Sequence, residues 1–359
     1  MKYFNVIAAV LLSLLYLTGS IPPTERYNLW FTIFLIPFAM VANTILLVIA
    51  AIRRRRSGLF YLIPMLIGIP YFLSTVGVKS YFHSEDPSAA HFTALDYNIS
   101  NFTVKENANT ETKVARKELY DLVMNPTTDI QCYQEFINFP WSKEGNVIQR
   151  LTDLNRHFYF SKEPETTHMD YSRLGTLIVS KFSIVASGDV LAGESGFNRV
   201  SYIDVVVKSD TVRIINVHLH SMGLGRFDPR VKSEIRDMGR ATRNILNKLK
   251  EGVFERSKQV KELSDFIAHS PYPVVCAGDF NDMPYGYTYR YLRKSLKNSF
   301  EESGHGFGFT YNGGTLRVLR IDNQFYSGRI KSTDLFTHYD IPYTDHFPVQ
   351  GTYEIPNDD

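Results

Sequence analysis

Cysteine is nearly absent from this chain: two residues in 359, too few for a disulfide framework or a cysteine-built zinc site. Neither the G-x-x-x-x-G-K-[ST] pattern of a phosphate loop nor the G-x-S-x-G of a nucleophile elbow occurs, and no internal repeat is visible. Basic excess is missing too. Of 39 basic and 37 acidic residues, seven and one respectively precede residue 80, which leaves 32 against 36 in the remainder. A domain that grips nucleic acid mainly through phosphates usually carries net positive charge. That global signature is lacking, though a local basic groove is compatible with the count.

Charge is also absent from three long apolar runs, residues 4–21, 29–52 and 59–77. Each is long enough, or nearly so, to cross a hydrocarbon core as a helix. Pro37, Pro64 and Pro70 would be costly in a soluble helix but are tolerated in membrane helices, where neighbours satisfy the freed carbonyls. Between the second and third runs stands Arg53-Arg54-Arg55-Arg56, and a short loop with four arginines is held on the cytoplasmic side. Counting outward, Lys2 falls inside, and the 22–28 loop and everything after Gly77 fall outside. The expectation is a multi-pass anchor over residues 1–79 in the cytoplasmic membrane, a linker at 80–90, and an extracytoplasmic domain over 91–359. The first run, ending in Thr18-Gly19-Ser20, also reads as a cleavable signal peptide.

At 44% hydrophobic and 14% aromatic, the remainder has material for a large core. Its organising stretch is Pro273-Val-Val-Cys-Ala-Gly-Asp-Phe-Asn-Asp-Met-Pro284, a short β-branched run that stops on Gly278 and presents Asp279, Asn281 and Asp282. A strand that ends in a turn places polar groups at a rigid edge. An EF-hand loop is excluded, because it needs an oxygen ligand where Met283 stands and a glycine where Pro284 stands.

The same device recurs. Residues 91–100 read as a strand ending on Asn98, and 129–136 as one ending in Glu135. Residues 212–220 carry Asn216, His218 and His220 on one face, and 319–326 carry Asp322. Asp345 and His346 precede the last strand. Residues 175–184 and 202–208 read as further strands, and 112–124, 226–269 and 287–296 as helices. Cys132 and Cys276 lie in apolar strands, where buried thiols are common. Oxygen-rich side chains without thiolates suit Mg²⁺, Mn²⁺ or Ca²⁺ rather than zinc.

The ordered set Asn98-Ile, Gln134-Glu135, Asn216-Val-His218, Gly278-Asp-Phe-Asn281, Arg320-Ile-Asp322 and Thr344-Asp-His-Phe-Pro348 resembles the endonuclease/exonuclease/phosphatase superfamily over about residues 90–353. The resemblance implies a DNase I-like α/β sandwich, two packed β-sheets with helices outside. It also implies Mg²⁺ or Mn²⁺ held by Asn98, Glu135 and Asp345. His218 and Asn281 would contact the phosphate, Asp279 would orient or deprotonate water, and Asp322 would hold His346 as acid/base partner. Ser100 stands where nuclease members often carry a second acid, which weighs against a second metal. The expected function is therefore a membrane-anchored, metal-dependent phosphoester hydrolase. The lipid bilayer and a phosphoester substrate, on lipid or envelope components, are its partners. The alternatives are a tethered nuclease on nucleic acid and a non-catalytic binding module of the same fold.

Overall fold

The computed structural model describes residues 2–23, 29–78, 89–104, 112–162, 173–192, 198–221, 238–313 and 318–357. Three helices come first: α1 (Lys2–Thr18), α2 (Ile36–Ile52, led by a 3-10 segment Leu29–Leu35) and α3 (Leu62–Leu73, led by a 3-10 segment Arg56–Tyr61). The helices stop short of the expected 4–21 and 59–77 limits, at Thr18 and Leu73. Two segments, Leu29–Ile52 and Arg56–Leu73, are long and apolar enough to cross a membrane, and only 28% of each apolar window is buried. Phe4, Leu11, Phe38, Ile45, Leu66 and Phe72 point outward, all more than a third exposed. A core helix in a water-soluble domain would cover such side chains.

Two mixed six-stranded sheets make up the rest. The first contains β1 (Ala90–Asn98), β2 (Ile130–Asn138), β3 (His157–Lys162), β4 (Arg173–Ser180), β11 (Lys331–Thr337) and β12 (Val349–Ile355) in the order β11-β12-β1-β2-β4-β3. The second contains β5 (Ile184–Ala192), β6 (Arg199–Val207), β7 (Asp210–His218), β8 (Val274–Asp279), β9 (Lys297–Asn298) and β10 (Asp322–Tyr326) in the order β5-β6-β7-β8-β10-β9. The pairs β1–β2 and β7–β8 are parallel, and the other pairs are antiparallel. Phe92, Ala94, Ile130 and Cys132 of the first sheet pack against Ile203, Ile214 and Val275 of the second. The alternate residues Leu95, Tyr97 and Tyr133 face α4 (Thr112–Met124) and α5 (Val147–Asp153). Ile215, Val217 and Cys276 face α6 (Met238–Ala268) and α7 (Tyr287–Leu292). Period-two alternation thus yields four layers, helices outside two facing sheets.

Several expectations need adjustment. The run 175–184 belongs to two strands, β4 and β5, separated at Lys181 to Ser183. The strand expected at 319–326 begins only at Asp322, because Arg320 is drawn aside by other partners. β3 and β11 carry no clear alternation and were not foreseen. The linker at 80–90 lies outside the described residues except for its last two, as does the 226–237 part of the helix expected over 226–269. Cys132 and Cys276 are free and buried, and burial pushes both thiols up.

The helical bundle is packed on the sandwich. Tyr16, Ile33, Ile36 and Tyr71, at the helix ends away from the arginine loop, cluster with Met283 and Tyr285. Ala9, Ala50 and Tyr61 form a separate cluster toward the arginine loop. The Thr75 hydroxyl lies 3.0 Å from the Tyr285 hydroxyl, and Gly77 and Gly306 exchange two backbone hydrogen bonds of 2.7 and 3.1 Å.

Candidate active site

The alternation that fills the space between the sheets with Phe92, Ala94, Val212, Ile214 and Val275 continues, at one end of the same strands, into polar residues. Asn98 follows Ala94 and Asp96 on β1. His218 follows Ile214 and Asn216 on β7, and Asp279 follows Val275 and Ala277 on β8. Asp322 opens β10 on the same face as Gln324 and Tyr326. Registers align them: His218 is level with Asp279, and Asp279 with Asp322. All of these but Glu135 and Asp345, which are partly exposed, are buried.

Glu135 arrives by a different route. The β2–β4 register shifts between Tyr133 and Phe136, and Glu135 adopts φ 47°. A bulge of this kind re-aims one side chain at the cost of local strain. It brings Glu135 Oε1 within 3.4 Å of Asn98 Nδ2 and 3.9 Å of His218 Nε2. Gly278 has φ 141°, and a Cβ there would lie 2.1 Å from the Val217 carbonyl. Only glycine lets β8 lie this close beside β7.

Asp279 is the hub. Its Oδ2 accepts from Asn98 Nδ2 at 3.2 Å and lies 3.8 Å from His218 Nε2 and 3.7 Å from His346 Nε2. Its Oδ1 accepts from the Asn281 backbone N–H at 2.8 Å. Burial first, and the Asp322 carboxylate second, push Asp279 up to about 6, against the opposing pull of His346 and His218. His346 places Nδ1 2.9 Å from Asp322 Oδ2. Burial disfavours its charged form, but the carboxylates of Asp322 and Asp279 outweigh burial and hold it well above the usual histidine range. His346 thus lies between two carboxyl groups, with Asp322 at Nδ1 and Asp279 near Nε2.

Asn281, at φ 51°, donates Nδ2 to the Leu219 carbonyl at 3.0 Å. Asp282 is a turn-former: it accepts from the backbone N–H groups of Met283 and Thr288. His220 does not join the cluster. Its ring meets Asn198 at 3.3 Å, although period two alone places it on the face of His218.

Two residues escaped the sequence reading. Asp96, fully buried, accepts from Gln324 Nε2 at 2.7 Å. Burial first, then the Asp322 carboxylate, raise it well above its ordinary value. Its position two residues before Asn98 was the available signal. Tyr311 packs its ring edge-on to His346, centroids 5.4 Å apart. Burial and the carboxylates of Asp345, Asp279 and Glu135 push its hydroxyl up to about 12. Nothing in its sequence context marks it.

Three acids thus bear on one hydroxyl, and the donors are oxygen and imidazole without thiolate, a set that fits a hard divalent cation. Asp279, Asp322 and His346 offer ligand atoms within 4.8 Å of one another, a different group from the Asn98, Glu135 and Asp345 expected to hold the metal. Asn98 links the two groups, since its amide reaches both Asp279 and Glu135.

The sequence profile described as "Endonuclease/Exonuclease/phosphatase family" matches residues 98–346. A profile described only as a domain of unknown function matches residues 1–75. No curated protein matches the chain. Among solved structures, an endonuclease/exonuclease/phosphatase from Beutenbergia cavernae DSM 12333 is similar, with a TM-score of 0.54 and 15% identity over 75% of this chain and 72% of that one. The human Nocturnin catalytic domain, solved with bound sulfate, is similar at a TM-score of 0.50 and 14% identity, over 74% and 95%. At these identities the likeness shows the fold alone, a DNase I-like sandwich.

Proposed function

The chain belongs to the endonuclease/exonuclease/phosphatase family, whose enzymes hydrolyse phosphoester bonds, and on that premise we propose that it is a membrane-anchored, divalent-metal-dependent phosphoester hydrolase. It acts outside the cytoplasm, on phosphoesters carried by lipids or other envelope components. Residues 1–79 are the anchor, 80–90 the linker and 91–359 the catalytic domain. Support for the anchor comes from the exposed apolar helices and from the gathering of their outer ends on the sandwich.

The observation that carries the chemistry is Asp279 set between His346, His218 and Asn98. Asp279, with its pKa raised to about 6, accepts a proton from the attacking water at neutral pH. His346, kept protonated by Asp322, gives a proton to the leaving oxygen. His218 and Asn281 hold phosphate oxygens. Mg²⁺ or Mn²⁺, when bound, offsets the charge of the phosphate and polarises its oxygen. As the resemblance implies, the ion would be held by Asn98, Glu135 and Asp345; the alternative ligand group is Asp279, Asp322 and His346, whose ligand atoms lie within 4.8 Å of one another.

The test is a substrate panel on the full-length protein in liposomes, comprising phospholipid, bis(p-nitrophenyl) phosphate and plasmid DNA, before and after chelation. The expected result is metal-dependent cleavage of the soluble ester and of lipid, both better than DNA. Efficient DNA nicking without lipid turnover would make the protein a tethered nuclease. Binding without turnover of any ester would make it a binding module.

A further inference from the structure

A loop joins the end of the third apolar helix to the catalytic centre. Gly306 exchanges two backbone hydrogen bonds with Gly77, four residues past the end of α3. Five residues later, Tyr311 packs against His346. Five residues span at most about 18 Å when fully extended, so the acid/base pair lies close to the point where α3 ends.

Phe307 of this loop points outward, and Phe309 behind it is partly exposed. Phe307 is 56% exposed and stacks on Phe309, centroids 5.4 Å apart and planes within 6°. The loop runs alongside residues 334–339. His305 Nε2 lies 3.1 Å from Asp334 Oδ1, and Gly304 bridges to Leu335. Phe336 and Tyr339 on that stretch are themselves about half exposed. Val78, next to Gly77, is 64% exposed. Neither α/β packing nor the catalytic chemistry requires three exposed rings, Phe307, Phe336 and Tyr339, on a water-facing rim.

The occupant follows from continuity. The rim is tied by backbone hydrogen bonds to a helix that exposes Leu66, Ile69 and Phe72 on its flank, and aromatic rings concentrate where a membrane helix meets water. We propose that the rim formed by Phe307, Phe309, Phe336 and Tyr339 seats in the headgroup region of the bilayer from which α3 emerges. The site then opens onto lipid-borne phosphoesters. The proposal rests on the membrane-anchored phosphoesterase reading above and adds the surface that selects among its substrates.

The test uses full-length protein reconstituted into phosphatidylcholine vesicles with and without bromine on the acyl chains. Of two single-tryptophan forms, one keeps Trp30 in the bundle and replaces Trp141 by Phe. The other replaces both native tryptophans by Phe and carries Phe307→Trp. Brominated lipid is expected to quench both forms. In a second measurement, Phe307→Ser should lower the ratio of phospholipid turnover in vesicles to bis(p-nitrophenyl) phosphate turnover about tenfold or more. Quenching of Trp30 without quenching of the Phe307→Trp form overturns the proposal and leaves the anchor standing. Quenching of neither form removes the anchor and the proposal together. Unquenched fluorescence that responds to single-stranded DNA, with the turnover ratio unchanged, overturns the proposal in favour of a base-stacking surface. Loss of the soluble-ester activity in unmodified protein bears on the phosphoesterase reading alone.

Discussion

The buried guanidinium of Arg320 donates to the backbone carbonyl of Ser74, the residue that caps the C-terminus of α3, and it does so two positions before Asp322. The same guanidinium donates to Asn323 Oδ1 and lies 4.2 Å from the centre of the Phe300 ring. A cation at a helix C-terminus is favourable, and there it also satisfies a carbonyl that the helix leaves open. Together with the Thr75–Tyr285 hydrogen bond, this contact attaches the helical bundle to the segments that follow Asp279 on β8 and precede Asp322 on β10.

Arg320→Met should therefore destabilise the full-length protein by roughly 1.5–3 kcal/mol, the worth of a charge-assisted hydrogen bond. Thermal unfolding in detergent, followed by near-ultraviolet circular dichroism, measures it. An unchanged melting temperature would show that the contact is not formed in solution.

Asp279→Asn and His346→Ala should each slow metal-dependent hydrolysis by about 10²-fold or more, the usual worth of acid/base groups. Glu135→Gln should instead raise the Mg²⁺ concentration needed for half-maximal rate. Metal titrations at fixed substrate separate the two behaviours, and equal loss in all three variants with unchanged metal demand would reassign Glu135.

Asp279 also makes a pH prediction for the metal-free protein. Its carboxyl is raised to about 6 in the folded state, against about 3.9 in an unfolded chain. The folded state thus binds the proton more tightly. The resulting stabilisation is complete below about pH 4 and is lost as pH rises through about 6. Chelated protein should melt lower at about pH 7.5 than at about pH 5. Asp279→Asn should narrow that difference and raise the melting temperature at the higher pH, and a difference left intact by the substitution would count against a buried, proton-binding Asp279.

Gly278→Ala should damage both fold and activity. At φ 141° with a Cβ 2.1 Å from the Val217 carbonyl, the substitution forces β8 away from β7 and breaks the register that sets His218 beside Asp279. Backbone strain of this sort costs about 1–3 kcal/mol before the clash is counted. Soluble yield and residual rate are the readouts.

Replacing Arg53, Arg54, Arg55 and Arg56 by Ser should weaken the orientation of the bundle, since loop charge is its strongest topological signal. Protease added to intact spheroplasts should digest the catalytic domain of the unaltered protein. It should digest a smaller fraction of the variant; complete protection of the unaltered protein until lysis would invert the topology.

Much of this was legible in the order of residues because it depends on local periods. Alternation along β1, β7 and β8 puts Asn98, His218 and Asp279 on the face of their apolar neighbours, and the spacing of Val114, Leu119, Leu122 and Val123 marks α4, although Val114 stays 45% exposed and Ala115 takes the buried place beside Leu119 and Val123. The three uncharged runs set the three apolar N-terminal helices apart for the same reason. What the chain did not reveal depends on partners distant in sequence. Glu135 reaches the site through a bulge that exists only because β4 pairs on either side of it. The raised pKa of Asp96 comes from burial first and then from Asp322, more than two hundred residues later, and His220 leaves the face that alternation gives it because β7 ends at His218. Tyr311 and the docking of α3 through Ser74, Thr75 and Gly77 have no periodic signature at all. Side-chain alternation is a property of one strand, whereas burial, pKa and the closeness of helix to catalytic loop belong to pairs of segments, and only the packed sandwich brings those pairs together.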